Sequence, residues 1–216
     1  MLPEKLTHLT FEDNFNKEVN LLPSFITHLT FGFKFNQEVN ILSQLLTHLT
    51  FGDNFNKEVV HLPQLLTHLT LGYGFNQEVN MLSQLLTHLT FGDNFNKEVT
   101  RLPQLLTHLT FGSCFNQEVA KLPQLLTHLT FGHMFNKSNI YLPLEIKYLK
   151  LDCNNPHINS HINSHINSHI NSHINSHINS HIIAQLSSNI EVLESNEYFN
   201  LELNNLPTLL KKNNIS

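Results

Sequence analysis

Histidine and threonine are the residues of this chain whose type and spacing could do chemistry, because both recur with one fixed, short period. They occur together as Thr-His-Leu-Thr, seven times between residues 7 and 130. An imidazole can bind a metal ion, exchange a proton near neutral pH or form hydrogen bonds with a partner protein. The histidines are His8, His28, His48, His68, His88, His108 and His128, and the threonines two positions later are Thr10, Thr30, Thr50, Thr70, Thr90, Thr110 and Thr130.

Three interpretations of this pattern are open: a passive ladder, a partner-binding face and a zinc site shared by neighbouring histidines. No cysteine or aspartate accompanies the histidines, and copying of the unit would repeat them without any metal. If the imidazoles stack at strand spacing, mutual repulsion should lower their pKa values and make the face sensitive to mild acid. We predict no metal site here and place the partner-binding residues in the middle of the array. They are His28, Thr30, His48, Thr50, His68, Thr70, His88, Thr90, His108 and Thr110.

Catalysis is not indicated by the remaining residues. The repeats offer the same few side chains in every unit, whereas an active site needs a unique set of groups in a pocket. No glycine-rich phosphate loop and no cysteine pair with metal-binding spacing occurs. We therefore predict a protein that is not an enzyme and has no cofactor.

The elements that position these residues follow from the leucines. A leucine begins each unit, and Pro or Ser follows it at Leu2, Leu22, Leu42, Leu62, Leu82, Leu102, Leu122 and Leu142. Within a unit the apolar residues fall as Leu66-x-x-Leu69-x-Leu71, which is typical of leucine-rich repeats with one short strand per coil. A unit of this length leaves no room for a helix, so extended or 3₁₀ backbone should complete the coil. The fold class is mainly β, a leucine-rich-repeat-like parallel solenoid of 20-residue coils interrupted by a low-complexity tetrapeptide tract.

Alternation along the strand predicts that Leu69 and Leu71 point inward, while His68, Thr70 and Gly72 point outward. Four further columns are expected along the stack. Two columns of phenylalanine, four positions apart in each unit, should form the core. A column of asparagines that begins at Asn16 should satisfy the loop backbone from coil to coil, and one of glutamates that begins at Glu18 should be a solvated edge.

The repeated phrase Leu-Pro-x-x-Leu-Thr-His-Leu-Thr-Phe-Gly-x-x-Phe-Asn-Gln resembles the FNIP repeat, a leucine-rich variant known from amoebae and the large viruses that infect them. The phrase is clearest at 102–117 and 122–137. The resemblance extends over roughly residues 1–151 and implies a repeat solenoid. In this sequence the usual Phe-Asn-Gln-Pro-Ile is replaced by Phe-Asn-Gln-Glu-Val.

The tetrapeptide His-Ile-Asn-Ser then occurs six times between residues 157 and 180. The leucines Leu142 and Leu186 lie on either side of this tract, and with the six tetrapeptides removed their separation is one unit of the repeat. The predicted organisation is therefore a solenoid of about eight coils over 1–156, an insertion over 157–181, and degenerate repeats with a tail over 182–216. The insertion could be a disordered loop, a helix or extra strand-like coils, and its histidines at i and i+4 could chelate a metal.

Charge and composition limit the partners. Twelve basic and 17 acidic residues give a formal charge of −5 without a basic cluster, so we expect no nucleic acid. No apolar run approaches the roughly 18 residues of a membrane span, and no leader follows Met1. Two cysteines in 216 residues fit a reducing compartment. We expect an intracellular, cytoplasmic protein, in the host cytoplasm if the chain is viral.

The leading functional prediction is a non-catalytic scaffold that presents the Thr/His strand face to an unknown protein partner. Exposed end coils would also permit end-to-end self-association. Two alternatives are a histidine-rich metal-binding protein through residues 157–181 and a recently expanded array with little selected function.

Overall fold

A single parallel sheet organises the molecule. The computed structural model describes residues 2–79, 81–119, 121–137 and 142–152 and the strand at 192–195. Nine strands lie side by side in chain order, each hydrogen-bonded to the next. They are β1 His8–Thr10, β2 His28–Thr30, β3 His48–Thr50, β4 His68–Thr70, β5 His88–Thr90, β6 His108–Thr110, β7 His128–Phe131, β8 Tyr148–Leu151 and β9 Val192–Ser195.

The register is identical at each step between β1 and β8. His48 lies opposite His68 and Leu49 opposite Leu69, and every neighbouring pair of strands is offset by the same single period of the repeat. Seven coils of that length therefore connect the eight strands. The predicted leucine-rich-repeat-like parallel solenoid is confirmed.

Two tight turns per coil close each circuit without a helix. Leu66 N donates to Pro63 O at 3.3 Å, and Phe75 N donates to Gly72 O at 3.2 Å. Proline suits the first turn because its fixed φ matches turn geometry and no N–H is needed there. The sequence predicts extended or 3₁₀ backbone outside the strand. In the described residues this backbone is extended and is interrupted by single turns, and no 3₁₀ helix is formed.

The core is a set of columns that run along the stack. Leu69 and Leu71 are each 1% exposed and point into the core. His68 and Thr70, which alternate with them along the chain, are half-buried on the other face, as the alternation predicts. Phe91 and Phe95 stack within one coil at 4.0 Å between ring centroids, and Phe95 stacks on Phe115 of the next coil at 6.0 Å. The predicted phenylalanine core is thus present, with Leu71 replacing one ring.

A glycine after each of strands β2 to β7 permits close approach of successive coils. A Cβ at Gly92 would lie 2.0 Å from the carbonyl oxygen of Gly72, and the other glycines at this position face the same backbone. A Cβ at Gly92 would therefore require a shift of one coil against the other, although the coil of β8 carries Asp152 at the equivalent position. The coil of β1 carries Glu12 at the equivalent position.

Asparagines form a ladder of side-chain hydrogen bonds just after the turn at Gly72–Phe75 and its equivalents. Asn76 N donates to Asn56 Oδ1 at 2.9 Å, and Asn96 N donates to Asn76 Oδ1 at the same distance. In alternate coils a glutamine adds a bond, as where Gln77 Nε2 donates to Asn56 Oδ1 at 3.1 Å. The predicted role of the asparagines in satisfying loop backbone is observed.

Strand β9 lies beyond the tetrapeptide tract. It pairs with β8 so that Leu193 lies opposite Leu149, an offset longer than the single period that relates the other strands. That offset is one coil plus the length of the six tetrapeptides, which agrees with resumption of the repeat after the tract. The insertion at 157–181 and most of the predicted segment 182–216 lie outside the described residues, so the three segment boundaries stay predictions.

Candidate interaction face

The seven histidines of the Thr-His-Leu-Thr units, here called the histidine ladder, stack face to face on the outer side of the sheet. Successive ring centroids are 4.0–4.2 Å apart, and successive ring planes are inclined by 12–14°. The ladder ends on Tyr148 of β8, whose ring lies 5.6 Å from that of His128. Parallel in-register pairing dictates this geometry, because equivalent side chains on neighbouring strands must lie side by side.

The threonine that precedes each histidine fixes the orientation of the ring. Thr67 Oγ1 lies 2.9 Å from His68 Nδ1, and all seven Thr-His pairs show the same distance. The hydroxyl also lies 3.1 Å from Thr47 O in the preceding coil. Each ring from His28 to His128 is therefore connected to the backbone of the preceding coil through one hydroxyl, and its Nε2 edge is directed away from that contact.

Burial of the ladder opposes protonation. It lowers the pKa of His28, His48, His68 and His88, and the charges of other histidines in the ladder lower these pKa values further. The same causes lower the pKa of His108 to about 4. Desolvation contributes more than repulsion, although the sequence predicted only repulsion. These five imidazoles are thus mainly neutral at pH 7 and carry no formal charge to a partner.

Comparison with known proteins identifies the repeat. The family model described as FNIP Repeat matches residues 1–34, 35–74, 75–114 and 98–134, which is more than half of the chain. The chain belongs to the FNIP repeat family. The resemblance noted in the sequence is therefore confirmed.

A solved structure shows the same architecture. CroV588, described as a novel circular LRR protein, is 38% identical and superposes with a TM-score of 0.71. The match covers 97% of this FNIP repeat chain but 30% of CroV588, so the chain spans less than a third of that protein's length. None of the curated proteins compared with the chain matches it.

The predicted partner-binding residues of the FNIP repeats occupy equivalent places. The five predicted histidines are the first residues of β2 to β6 and the five threonines are the third, and all ten are half-buried. Neither the Nε2 atoms of the ladder nor the hydroxyls of the threonines at the third position form a hydrogen bond with another group in the described part of the chain. The strands thus bring these residues together on one surface with unused polar atoms.

An apolar column that was not predicted from the sequence borders this face. Leu65 is 45% exposed in the turn between Pro63 and Leu66, three positions before His68. Its equivalents are 44–53% exposed, and we call the set the leucine stripe: Phe25, Leu45, Leu65, Leu85, Leu105 and Leu125. A contiguous exposed apolar column is a common mark of a protein interface. No sequence signal marked it, because a leucine beside the buried Leu66 reads as another core residue and its exposure depends on the turn that carries it.

Metal binding by the ladder is not supported by its geometry. Neighbouring rings are nearly parallel, so their Nε2 atoms point in one direction and do not converge on a point between them. Among the residues with described positions, no group of three or more His, Cys, Asp or Glu side chains is placed to hold a metal ion. The histidines of the 157–181 tract lie outside the described residues.

In the described ranges no helix has the length and apolar character of a membrane span.

Proposed function

We propose that this FNIP repeat chain is a non-catalytic scaffold whose outer strand face, bordered by the leucine stripe, binds a protein partner inside the cell. The observation that carries the proposal is the repetition itself. Every coil from β2 to β6 presents one half-buried imidazole and one half-buried hydroxyl, each with polar atoms that no described protein group satisfies. Repeat solenoids commonly use such extended surfaces for protein partners.

The leucine stripe supports this assignment through its exposure. Leu45, Leu65 and Leu85 are 44–45% exposed, so they contribute little to the core and remain available to a partner. A binding surface that combines an apolar border with hydrogen-bonding groups matches the composition of specific protein interfaces. The stripe and the histidine ladder therefore form one candidate surface.

Pull-down from the native cell followed by binding to the purified partner tests the proposal. Substitution of His48, His68 and His88 together by Ser should abolish binding, because it removes three adjacent rings from the middle of the face. The matched control is substitution of Glu58 and Glu98 by Gln, which changes two exposed side chains outside the strands. Unchanged affinity of the histidine variant, with the control also unchanged, would remove this face from the function.

A further inference from the structure

The threonine before each histidine from His28 onward uses its hydroxyl hydrogen on the preceding coil. Thr67 Oγ1 donates to Thr47 O at 3.1 Å, and the equivalent hydrogen bonds of the other coils measure 3.1–3.2 Å. A hydroxyl has one hydrogen, so the 2.9 Å contact between Thr67 Oγ1 and His68 Nδ1 takes its hydrogen from the ring. Nδ1 therefore carries the hydrogen and donates it to the hydroxyl oxygen.

The outward nitrogen of each neutral ring is consequently a hydrogen-bond acceptor. A neutral imidazole has one N–H and one bare nitrogen, so Nε2 keeps its lone pair. Burial, followed by the charges of other histidines, lowers the pKa of His68 and lowers that of His108 to about 4, so these nitrogens remain bare at pH 7. Successive rings are 4.0–4.2 Å apart, and no donor in the described part of the chain reaches their Nε2 atoms. The ladder thus presents a row of unused acceptors.

The charged groups that border the outer face are mostly carboxylates. Strands β1 to β7 contain no lysine or arginine. In the turns that directly follow these strands, the charged residues are Glu12, Asp13, Asp53 and Asp93 against a single lysine, Lys34. These turns lie at the carboxyl ends of the strands, whereas the leucine stripe lies before their amino ends. One edge of the face is therefore acidic and the opposite edge is apolar.

The carboxylates at the acidic edge keep oxygen atoms for a ligand. Asp53 Oδ1 accepts the N–H of Tyr73 at 3.4 Å, and Asp93 Oδ1 accepts that of Ser113 at 3.1 Å. Each bond uses one of two carboxylate oxygens. Among the residues with described positions, no lysine or arginine forms an ion pair with either carboxylate. Their negative charges are available to a cation from outside.

We infer that this face recognises a basic segment of the partner protein, whose lysine and arginine side chains donate hydrogen bonds to the bare Nε2 atoms of the histidine ladder. An ammonium group has only donors, and so has a guanidinium group, which matches a face that offers acceptors. Hydrogen bonds to the carboxylates at the acidic edge would be of the stronger, charge-assisted kind. The formal charge of −5 also favours the approach of a cationic segment over an acidic peptide or a nucleic acid. The inference rests on the proposed function and adds the chemistry of the partner.

Nitrogen-15 NMR of the histidine side chains in the full chain tests the tautomer without any partner. At pH 8 the ladder should show a protonated Nδ1 and a bare Nε2. The Thr67→Val variant removes one hydroxyl and should lower the proportion of this tautomer at His68 but not at His108. A hydrogen on Nε2 throughout the wild-type ladder would overturn the inference and leave the scaffold proposal standing.

Peptide titration tests the ligand class. A fluorescein-labelled peptide of alternating Lys and Gly should bind at least about ten-fold more tightly than its Gln-Gly counterpart at pH 7, measured by anisotropy. Salt at about 0.15 M screens charges beyond about 8 Å, which suppresses attraction to distant carboxylates. Equal affinities of the Lys and Gln peptides, or tighter binding of a Glu-Gly peptide, would overturn the assignment of a basic ligand.

Two triple variants test the acceptor nitrogens at constant net charge. Substitution of His48, His68 and His88 by Leu removes three neutral acceptors and should weaken binding of the Lys peptide about ten-fold or more. Substitution of the same residues by Gln supplies a carbonyl oxygen in place of each Nε2 and should retain most of the affinity. Full affinity of the Leu variant, or equal loss in both variants with unchanged β-sheet circular dichroism, would contradict recognition by the ladder.

Two double variants separate the acidic edge from the net charge, because each removes two negative charges. Asp53→Asn with Asp93→Asn should weaken binding of the Lys peptide about five-fold, since these side chains border the face. Glu58→Gln with Glu98→Gln should change the affinity by less than about two-fold, because these exposed side chains lie outside the strands and their turns. Equal losses in the two variants would show attraction by net charge alone and would overturn the inference.

Failure of this inference and failure of the proposed function give different results. If substitution of His48, His68 and His88 by Ser abolishes binding of the native partner while the Lys peptide does not bind the wild type, only the basic ligand is contradicted. If the native partner binds that Ser variant with unchanged affinity, the proposed function is contradicted, and this inference with it.

Discussion

Replacement of one core phenylalanine gives the sharpest test of the stacked architecture, because the chain supplies its own control. Phe91 is 1% exposed and stacks on Phe95 at 4.0 Å and on Phe111 at 5.4 Å. Phe91→Ala removes the ring and leaves a cavity, which should lower the free energy of unfolding by about 3–5 kcal/mol. Phe91→Leu should cost less, because Leu71 fills the equivalent place in the preceding coil at 1% exposure.

The cost of the leucine variant can be worked from the ring contacts. It loses two aromatic pairs, each worth about 0.5–1.5 kcal/mol beyond the area that they bury, so a total of about 1–3 kcal/mol is expected. Leu85→Ala serves as the surface control, since Leu85 is 44% exposed and should change stability by about 0.5 kcal/mol or less.

Urea unfolding followed by far-ultraviolet circular dichroism measures all three variants against the wild type. Equal m values would show that the array unfolds over the same surface in each case. The packing argument would be refuted by a Phe91→Ala cost below about 1 kcal/mol, or by a Phe91→Leu variant no more stable than Phe91→Ala.

Three further predictions concern the backbone contacts and the ladder. Gly92→Ala should lower the urea midpoint because its Cβ would lie 2.0 Å from Gly72 O, whereas Glu12→Ala should leave it unchanged. Asn56→Ala should destabilise more than Asn76→Ala, since Asn56 Oδ1 accepts both a backbone N–H and a glutamine side chain, and each lost bond is worth about 0.5–1.5 kcal/mol. The pKa values of His28, His48, His68, His88 and His108 are lowered in the folded chain, so the unfolded chain binds protons more readily. The free energy of unfolding should therefore fall as the pH drops from about 6.5, the ordinary pKa of histidine, toward 4, and urea midpoints at successive pH values would show it.

The period of the sequence predicts the coil, the sheet and the core, because no single coil can bury its own apolar edge. Leu69, Leu71 and Phe75 recur at fixed positions, and only stacking in register removes them all from water. The same periodicity placed the histidines and the threonines two positions later on the outer face. For these residues the local sequence pattern and the packing of the whole stack agree on which side chains are buried and which lie on the outer face.

Periodicity could not predict which atoms of that face remain free. The role of Thr67 depends on a hydroxyl lying between a carbonyl and an imidazole, and those distances come from the path of two coils. The exposure of Leu65 depends on the turn that carries it. The sequence pattern indicates Thr70 as a binding residue but indicates neither Thr67 nor Leu65.

The repetition also determines how binding energy should be distributed along the face. Each coil offers one imidazole, one hydroxyl and one apolar side chain of the leucine stripe, so no coil from β3 to β6 is chemically distinct on that surface. Contacts linked on one rigid surface reinforce each other, because the first one holds the next at high effective concentration. Loss of His68 alone should then be tolerated, while loss of three adjacent histidines should not. A partner that depended on a single histidine would need a unique pocket, which an array of equivalent coils does not provide.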